Sequence, residues 1–232
     1  MLLSRVITSI LLAIFFFSSI YLLSAYQLNF LLIIIVSIAS LEWARLAGHS
    51  NPLVIFVYVL TILLTILLMF DYIFSGEIKY SIFIQPLLGV SCIWWAIAFT
   101  WVIKYPDSAS IWNSRLVKSV MGFFVIVPLW FSVVFIFNLD YGRYLLTFFV
   151  VLVAMADIGG YVVGKKIGSR QLIPTVSPKK TWEGFYGGIV FSLLLISCVW
   201  TMLPVHYKFY SFTYILVITT LTVLASVLGD LT

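Results

Sequence analysis

Residues 53–70 read LVIFVYVLTILLTILLMF, eighteen positions without a charge. A helix needs about 20 predominantly apolar residues to cross the hydrocarbon core of a bilayer, so this run has the length of a membrane span. Its polarity is uniform. A strand of a membrane barrel would alternate between apolar and polar positions over about 10 residues, and this stretch does not. Helices and closed barrels are the two structures that satisfy their own backbone hydrogen bonds in lipid, so the run predicts a transmembrane helix.

The rest of the chain repeats the pattern. Of 232 residues, 63% are hydrophobic and only 9% charged, whereas a soluble domain carries roughly a quarter of its residues as charges. That composition excludes a water-exposed surface over most of the protein. Eight apolar runs are expected as spans, near 6–24, 28–47, 53–70, 82–103, 119–139, 144–163, 184–204 and 209–229. The first follows a short basic start at Arg5 but lacks a small-residue cleavage site, so it reads as a retained span. Connections are short except 104–118 and 164–183, and no internal repeat or low-complexity linker is visible. The expected fold is therefore all-α: a polytopic helical bundle and a single membrane domain over 1–232.

Charge gives an orientation. With eight spans, Arg5, Arg45, Lys104, Arg115, Lys118, Lys165, Lys166, Arg170, Lys179 and Lys180 fall on one side, and Lys79, Arg143 and Lys208 on the other. Cytoplasmic loops carry the excess of Lys and Arg, so both termini are expected in the cytosol. Anionic head groups attract such residues at about 1 kcal/mol each, which accounts for some of them without any further role. The loop 164–183 is denser than that.

The stretch 157–188 reads DIGGYVVGKKIGSRQLIPTVSPKKTWEGFYGG. Asp157 lies inside the sixth apolar run, where a carboxylate is expensive and usually faces a polar cavity or a partner; pairing with a nearby lysine is the plainer alternative. Lys179 and Lys180 stand just before an apolar helix. Hydroxyls, lysines and free N–H groups at a helix start suit phosphate. Ser177 is equally readable as an N-cap with Pro178 at the first helical position, and the two readings are compatible. Gly184 and Gly188 have the small-xxx-small spacing of close helix packing. No Walker loop is present. Asp230, near the end of the last span, is expected on the same side as the basic loop. A carboxylate there, beside phosphate-binding lysines, suggests Mg²⁺ joined to a polyphosphate.

Other features read as structure. Glu42 and Arg45 are three apart on one helical face and should pair. Trp94, Trp95, Trp101 and Trp112 suit an interfacial aromatic belt. Cys92 and Cys198 fall inside apolar runs and read as small core residues, with no disulfide framework. His49 and His206 lack any ligand spacing.

Asp157-Ile158-Gly159-Gly160-Tyr161, Gly164-Lys165-Lys166-Ile167-Gly168, Ser177-Pro178-Lys179-Lys180-Thr181-Trp182-Glu183-Gly184 and the closing Gly229-Asp230-Leu231-Thr232 resemble bacterial phosphatidate cytidylyltransferase (CDP-diacylglycerol synthase). The likeness extends forward through Leu41-Glu42-Trp43 and Tyr105-Pro106-Asp107. It implies a transferase of phospholipid synthesis that joins CTP to phosphatidate with Mg²⁺, releasing diphosphate, in a bacterial inner membrane. It implies catalytic roles for Asp157, Lys179 and Lys180, substrate binding by Ser177, Thr181, Lys165, Lys166 and Glu183, and metal binding by Asp230. CTP, phosphatidate and the bilayer are the implied partners. No nucleic acid is expected, and room is left for a homodimer. The family's pattern continues with a His-Gly-Gly segment and an Asp-Arg-x-Asp cluster that residues 1–232 do not contain. The expectation is thus N-terminal spans in 1–139 and a catalytic-type half, 140–232, incomplete at its C-terminus. A non-catalytic remnant of the enzyme is the alternative, with a lipid transporter a more distant one.

Overall fold

The computed structural model describes residues 2–74, 84–202 and 211–232, with side chains over 7–70, 85–202 and 211–232. Lys79, His206 and Lys208, and the side chain of Arg5, lie outside the described residues. The helices are α1 (Leu2–Leu22), α2 (Ala25–Leu46), α3 (Pro52–Phe74), α4 (Ile84–Ile103), α5 (Ala109–Trp112), α6 (Arg115–Phe137), α7 (Gly142–Ile167), α8 (Trp182–Met202) and α9 (Phe212–Gly229). A two-stranded hairpin, β1 (Gln171–Ile173) and β2 (Ser177–Thr181), stands between α7 and α8. Among the described residues the protein is all-α apart from that hairpin.

Each expected apolar run contains one long helix. Among the described residues, α2, α3, α4, α6, α7, α8 and α9 are long and apolar enough to cross a membrane, and α1 adds a shorter apolar stretch, Ile7–Leu22. Helix ends differ from the hydropathy edges because capping, not hydropathy, sets them. Ser24, Ser114 and Ser211 each accept a hydrogen bond from the backbone N–H three residues on, satisfying donors that the first turn leaves open. At Ser24 the Gln27 side chain reciprocates, completing a capping box. α7 runs on through Lys165 and Lys166 into the polar loop.

The chain forms two compact units. One comprises residues 1–96 and 110–147, the other 97–109 and 148–232. In the first, Val36 of α2, Ile62 and Ile66 of α3, and Val127, Trp130 and Val134 of α6 make a buried core. A second cluster joins Ile20, Leu28, Phe137 and Leu146. Three polar side chains that reach into this apolar interior are hydrogen-bonded. Trp130 Nε1 donates to Asn29 Oδ1 at 2.9 Å, Trp43 Nε1 to the Lys118 carbonyl at 2.7 Å, and Tyr58 Oη to the Ser119 carbonyl at 3.1 Å. Gly122 makes room for this, because the Trp43 and Tyr58 side chains occupy the place of its missing Cβ.

Trp130→Phe should leave the buried Asn29 amide short of its donor. A loss of about 1 kcal/mol is expected, the usual scale of interhelical hydrogen bonds in membranes. Thermal unfolding in detergent micelles, compared across Trp130→Phe, Asn29→Ala and the double variant, should show the two effects to be non-additive.

The structure corrects two sequence expectations. Trp94 is buried and stacked on Phe124, with ring centroids 6.1 Å apart, so it is not part of an interfacial belt. Cys92 and Cys198 are exposed on α4 and α8. Apolar character marks a side chain as lipid-compatible and does not place it in the protein core, because lipid is itself an apolar solvent. His49 lacks ligand spacing but is hydrogen-bonded: its Nε2 lies 2.8 Å from Ser119 Oγ. The Glu42–Arg45 ion pair is present at 2.9 Å and well exposed. Arg143, read only as a charge marker, donates to the Tyr21 and Leu23 carbonyls at 3.1 Å each and lies over the Phe137 ring. It thus satisfies acceptors left open where α1 ends.

Candidate active site

In the second unit, α7 and α8 approach backbone to backbone. A Cβ on Gly188 would stand 2.8 Å from the Ala156 carbonyl oxygen, and one on Gly184 2.8 Å from the Gly160 carbonyl oxygen. Gly187 and Gly159 face each other in the same way. Without a hydrophobic force between helices in lipid, such close contact supplies dispersion attraction. The small-residue reading of Gly184 and Gly188 is therefore what the structure contains, extended to Ala156, Gly159 and Gly160 on the facing helix.

The hairpin that follows α7 differs from the expectation. Ser177 does not cap α8, and Pro178 is not its first residue. Ser177–Thr181 is a strand, paired antiparallel with β1 so that Gln171 faces Thr181 and Ile173 faces Ser177. A proline is tolerated in such a two-stranded edge. The Gln171 side chain satisfies the Pro178 carbonyl at 3.0 Å. The cap of α8 is Thr181, whose Oγ1 accepts from the Gly184 N–H at 3.1 Å. Both residues carry the hydroxyl a cap needs, and strand pairing with β1 delays the helix by four positions.

A cavity of about 460 Å³ is lined by residues of α7, the hairpin, α8 and α9. Its charged lining is Asp157, Lys165, Lys179, Lys180 and Asp230, with Thr181 beside them. Its apolar lining includes Leu172, Phe185, Val223 and Val227, and the glycine seam contributes Gly160, Gly164, Gly184 and Gly188. Lys180 Nζ donates to Asp230 Oδ2 at 2.8 Å. Asp157 lies near enough to both that each charge acts on it. Lys165 Nζ donates to Tyr161 Oη at 3.3 Å and lies 5.5 Å from the centre of that ring.

Not all the sequence candidates meet there. Asp157, Lys165, Lys179, Lys180, Thr181 and Asp230 line the cavity, whereas Ser177, Lys166 and Glu183 do not. Glu183 has a different task. Its carboxylate accepts from Ser169 Oγ at 2.7 Å, the Ser169 N–H at 3.1 Å and the Arg170 N–H at 3.3 Å. These contacts tie the start of α8 to the loop that leads into β1. Glu183→Ala should free that loop. Faster tryptic cleavage after Arg170 in reconstituted vesicles, by several-fold, is expected; an unchanged rate would contradict the clamp.

The sequence reading passed over Tyr161 and the apolar wall. Tyr161 carried a local signal, since its position four residues before Lys165 puts the two on one helical face. Leu172, Phe185, Val223 and Val227 carried none, because an apolar residue in an apolar protein has no distinguishing context.

The site can hold phosphate and a hard cation. Three ammonium groups and a threonine hydroxyl suit phosphate oxygens, and two carboxylates suit a divalent ion. Among the described residues no group of three or more metal-ligating side chains occurs. Mg²⁺ commonly takes one or two carboxylates and completes its shell with water and substrate oxygens.

The sequence profile of the cytidylyltransferase family matches residues 3–232. A phosphatidate cytidylyltransferase of Pseudomonas aeruginosa is 31% identical over 189 residues, covering 82% of this chain and 67% of the relative. One from Haemophilus influenzae is 29% identical over an alignment that covers all of this chain and 84% of the relative. Another, from Bacillus subtilis, is 37% identical over 119 residues, covering 48% of this chain and 42% of the relative. A profile match over nearly the whole length settles the assignment: this membrane protein belongs to the cytidylyltransferase family.

Proposed function

We propose that this chain is a phosphatidate cytidylyltransferase, converting CTP and phosphatidate to CDP-diacylglycerol and diphosphate. The observation that carries the reading is the mixed lining of one cavity on membrane helices. Lysines and carboxylates line it together with Leu172, Phe185, Val223 and Val227, which suits a substrate that is a phosphate at one end and a lipid at the other.

No protein nucleophile is needed. A phosphate oxygen of phosphatidate attacks the α-phosphorus of CTP, the bond to the bridging oxygen breaks, and diphosphate leaves with that oxygen. The protein's part is positioning and charge neutralisation. Lys179, Lys180 and Lys165 offset the negative charge that two phosphate-bearing substrates bring together. Thr181 fixes the start of α8 beside them. The apolar wall holds the glycerol and acyl portion and limits water near the reacting phosphorus. Asp230, with Asp157 in support, would hold Mg²⁺. Held there, Mg²⁺ would supply Lewis-acid charge to the phosphate oxygens and to the departing diphosphate.

The cationic bias supports a topology with both termini and the hairpin in the cytosol, and the bacterial relatives support a bacterial inner membrane. CTP then reaches the site from the cytosol, while the lipid arrives through the bilayer. The test is direct. Vesicles containing the purified chain, labelled CTP, phosphatidate and Mg²⁺ should yield labelled lipid that partitions into chloroform. Well-folded protein that forms none would overturn the reading.

A further inference from the structure

Lys179 and Lys180 are neighbours in sequence and both line the cavity, yet they are partnered differently. Lys180 is paired with Asp230 at 2.8 Å, across 50 residues of chain. Lys179 makes no ion pair with a described carboxylate. The bound oxygen, Asp230 Oδ2, belongs to the carboxylate that the proposed function gives to the divalent cation. The ammonium therefore engages a carboxylate oxygen that a bound cation would need. Two cations on one carboxylate repel each other, and this site is only partly screened, since the Lys180 side chain is 29% exposed and that of Asp230 53%.

We propose that Lys180 is a built-in stand-in for the divalent cation: it holds Asp230 in the ligand-free protein, and passes to a substrate phosphate when the metal takes its place. This inference rests on the reading of Asp230 as the metal carboxylate. It gives the two lysines separate tasks. Lys179 is free to meet incoming phosphate. Lys180 keeps Asp230 oriented and its charge balanced until metal and polyphosphate arrive together, so that neither binds strongly alone. Linkage requires the effect to be mutual: a phosphate that draws Lys180 away strengthens metal binding, and a metal that displaces Lys180 strengthens phosphate binding.

The test measures Mn²⁺ binding to the full chain in detergent micelles by electron paramagnetic resonance, with neither nucleotide nor lipid present. Lys180→Met should tighten Mn²⁺ binding by about fivefold, and Lys179→Met by less than about twofold, because only the first removes a competitor from Asp230. Lys180→Gln, which keeps a polar side chain on β2, should behave as Lys180→Met does. Equal tightening by both lysine variants would reduce the effect to net charge and overturn the proposal. So would an unchanged or weakened affinity in Lys180→Met and Lys180→Gln. Asp230→Asn separates the two levels. If it abolishes Mn²⁺ binding while the Lys180 variants leave binding unaltered, the stand-in role fails and the metal reading survives. Mn²⁺ binding that persists in Asp230→Asn removes the metal reading, and this inference with it.

Discussion

Asp230→Asn is expected to lower CDP-diacylglycerol synthesis by roughly 10³-fold, the scale at which electrostatic stabilisers of a transition state act when one is removed. The substitution keeps the shape of the side chain and removes the charge that would hold the cation. It also breaks the ion pair to Lys180. With the two side chains 29% and 53% exposed, such a pair contributes only about 0–1 kcal/mol to stability. Thermal unfolding should therefore be nearly unaltered while activity collapses, and the two measurements together distinguish a reacting group from a strut. Retention of activity in Asp230→Asn would sink the assignment. Asp157→Asn should reduce the rate less, because Asp157 acts on the site beside Asp230 and makes no ion pair of its own among the described residues.

Gly188→Val should damage both stability and activity. Its Cβ would fall 2.8 Å from the Ala156 carbonyl oxygen, and the obstruction is backbone, which cannot rotate aside. The two γ-methyls add to the clash. Overpacking at such a seam costs roughly 3 kcal/mol, or about 6–12 °C in Tm for a chain of this size. Activity should fall further than stability suggests, by about 100-fold, because prising α7 from α8 shifts Asp157 relative to Lys179 and Lys180. Gly160→Ala is the control. Its Cβ would meet only the Gly184 carbonyl oxygen, at 3.5 Å, an ordinary contact, so its melting temperature should stay close to that of the unaltered protein.

Most of the fold was legible in the sequence. A span is a property of one stretch and its solvent, so runs such as 53–70 announce their helices without reference to any neighbour. Even Gly184 and Gly188 showed their packing role by spacing alone. The candidate site was legible in part. Asp157, Lys165, Lys179, Lys180, Thr181 and Asp230 were all singled out, and they line one cavity. Ser177, Lys166 and Glu183 were singled out on equal terms and do not. The difference lies in backbone geometry. Strand pairing moved the cap of α8 from Ser177 to Thr181, and turned the local meaning of a Ser-Pro pair from helix start to hairpin edge. Glu183 faces the Ser169–Arg170 backbone because two N–H groups and a hydroxyl lie within its reach there.

The sequence by itself determined that this protein lives in lipid, that it is built of helices, and that its charged chemistry is concentrated between 157 and 183 and near 230. These follow from the cost of polar groups in an apolar solvent, which any stretch of chain meets independently. Only the tertiary structure decided which of those charges meet. Lys179 and Lys180 are indistinguishable in sequence, yet one is bound to Asp230 and the other is not. That choice depends on how closely two glycine-faced helices approach and on where α9 ends, distances that no local pattern encodes.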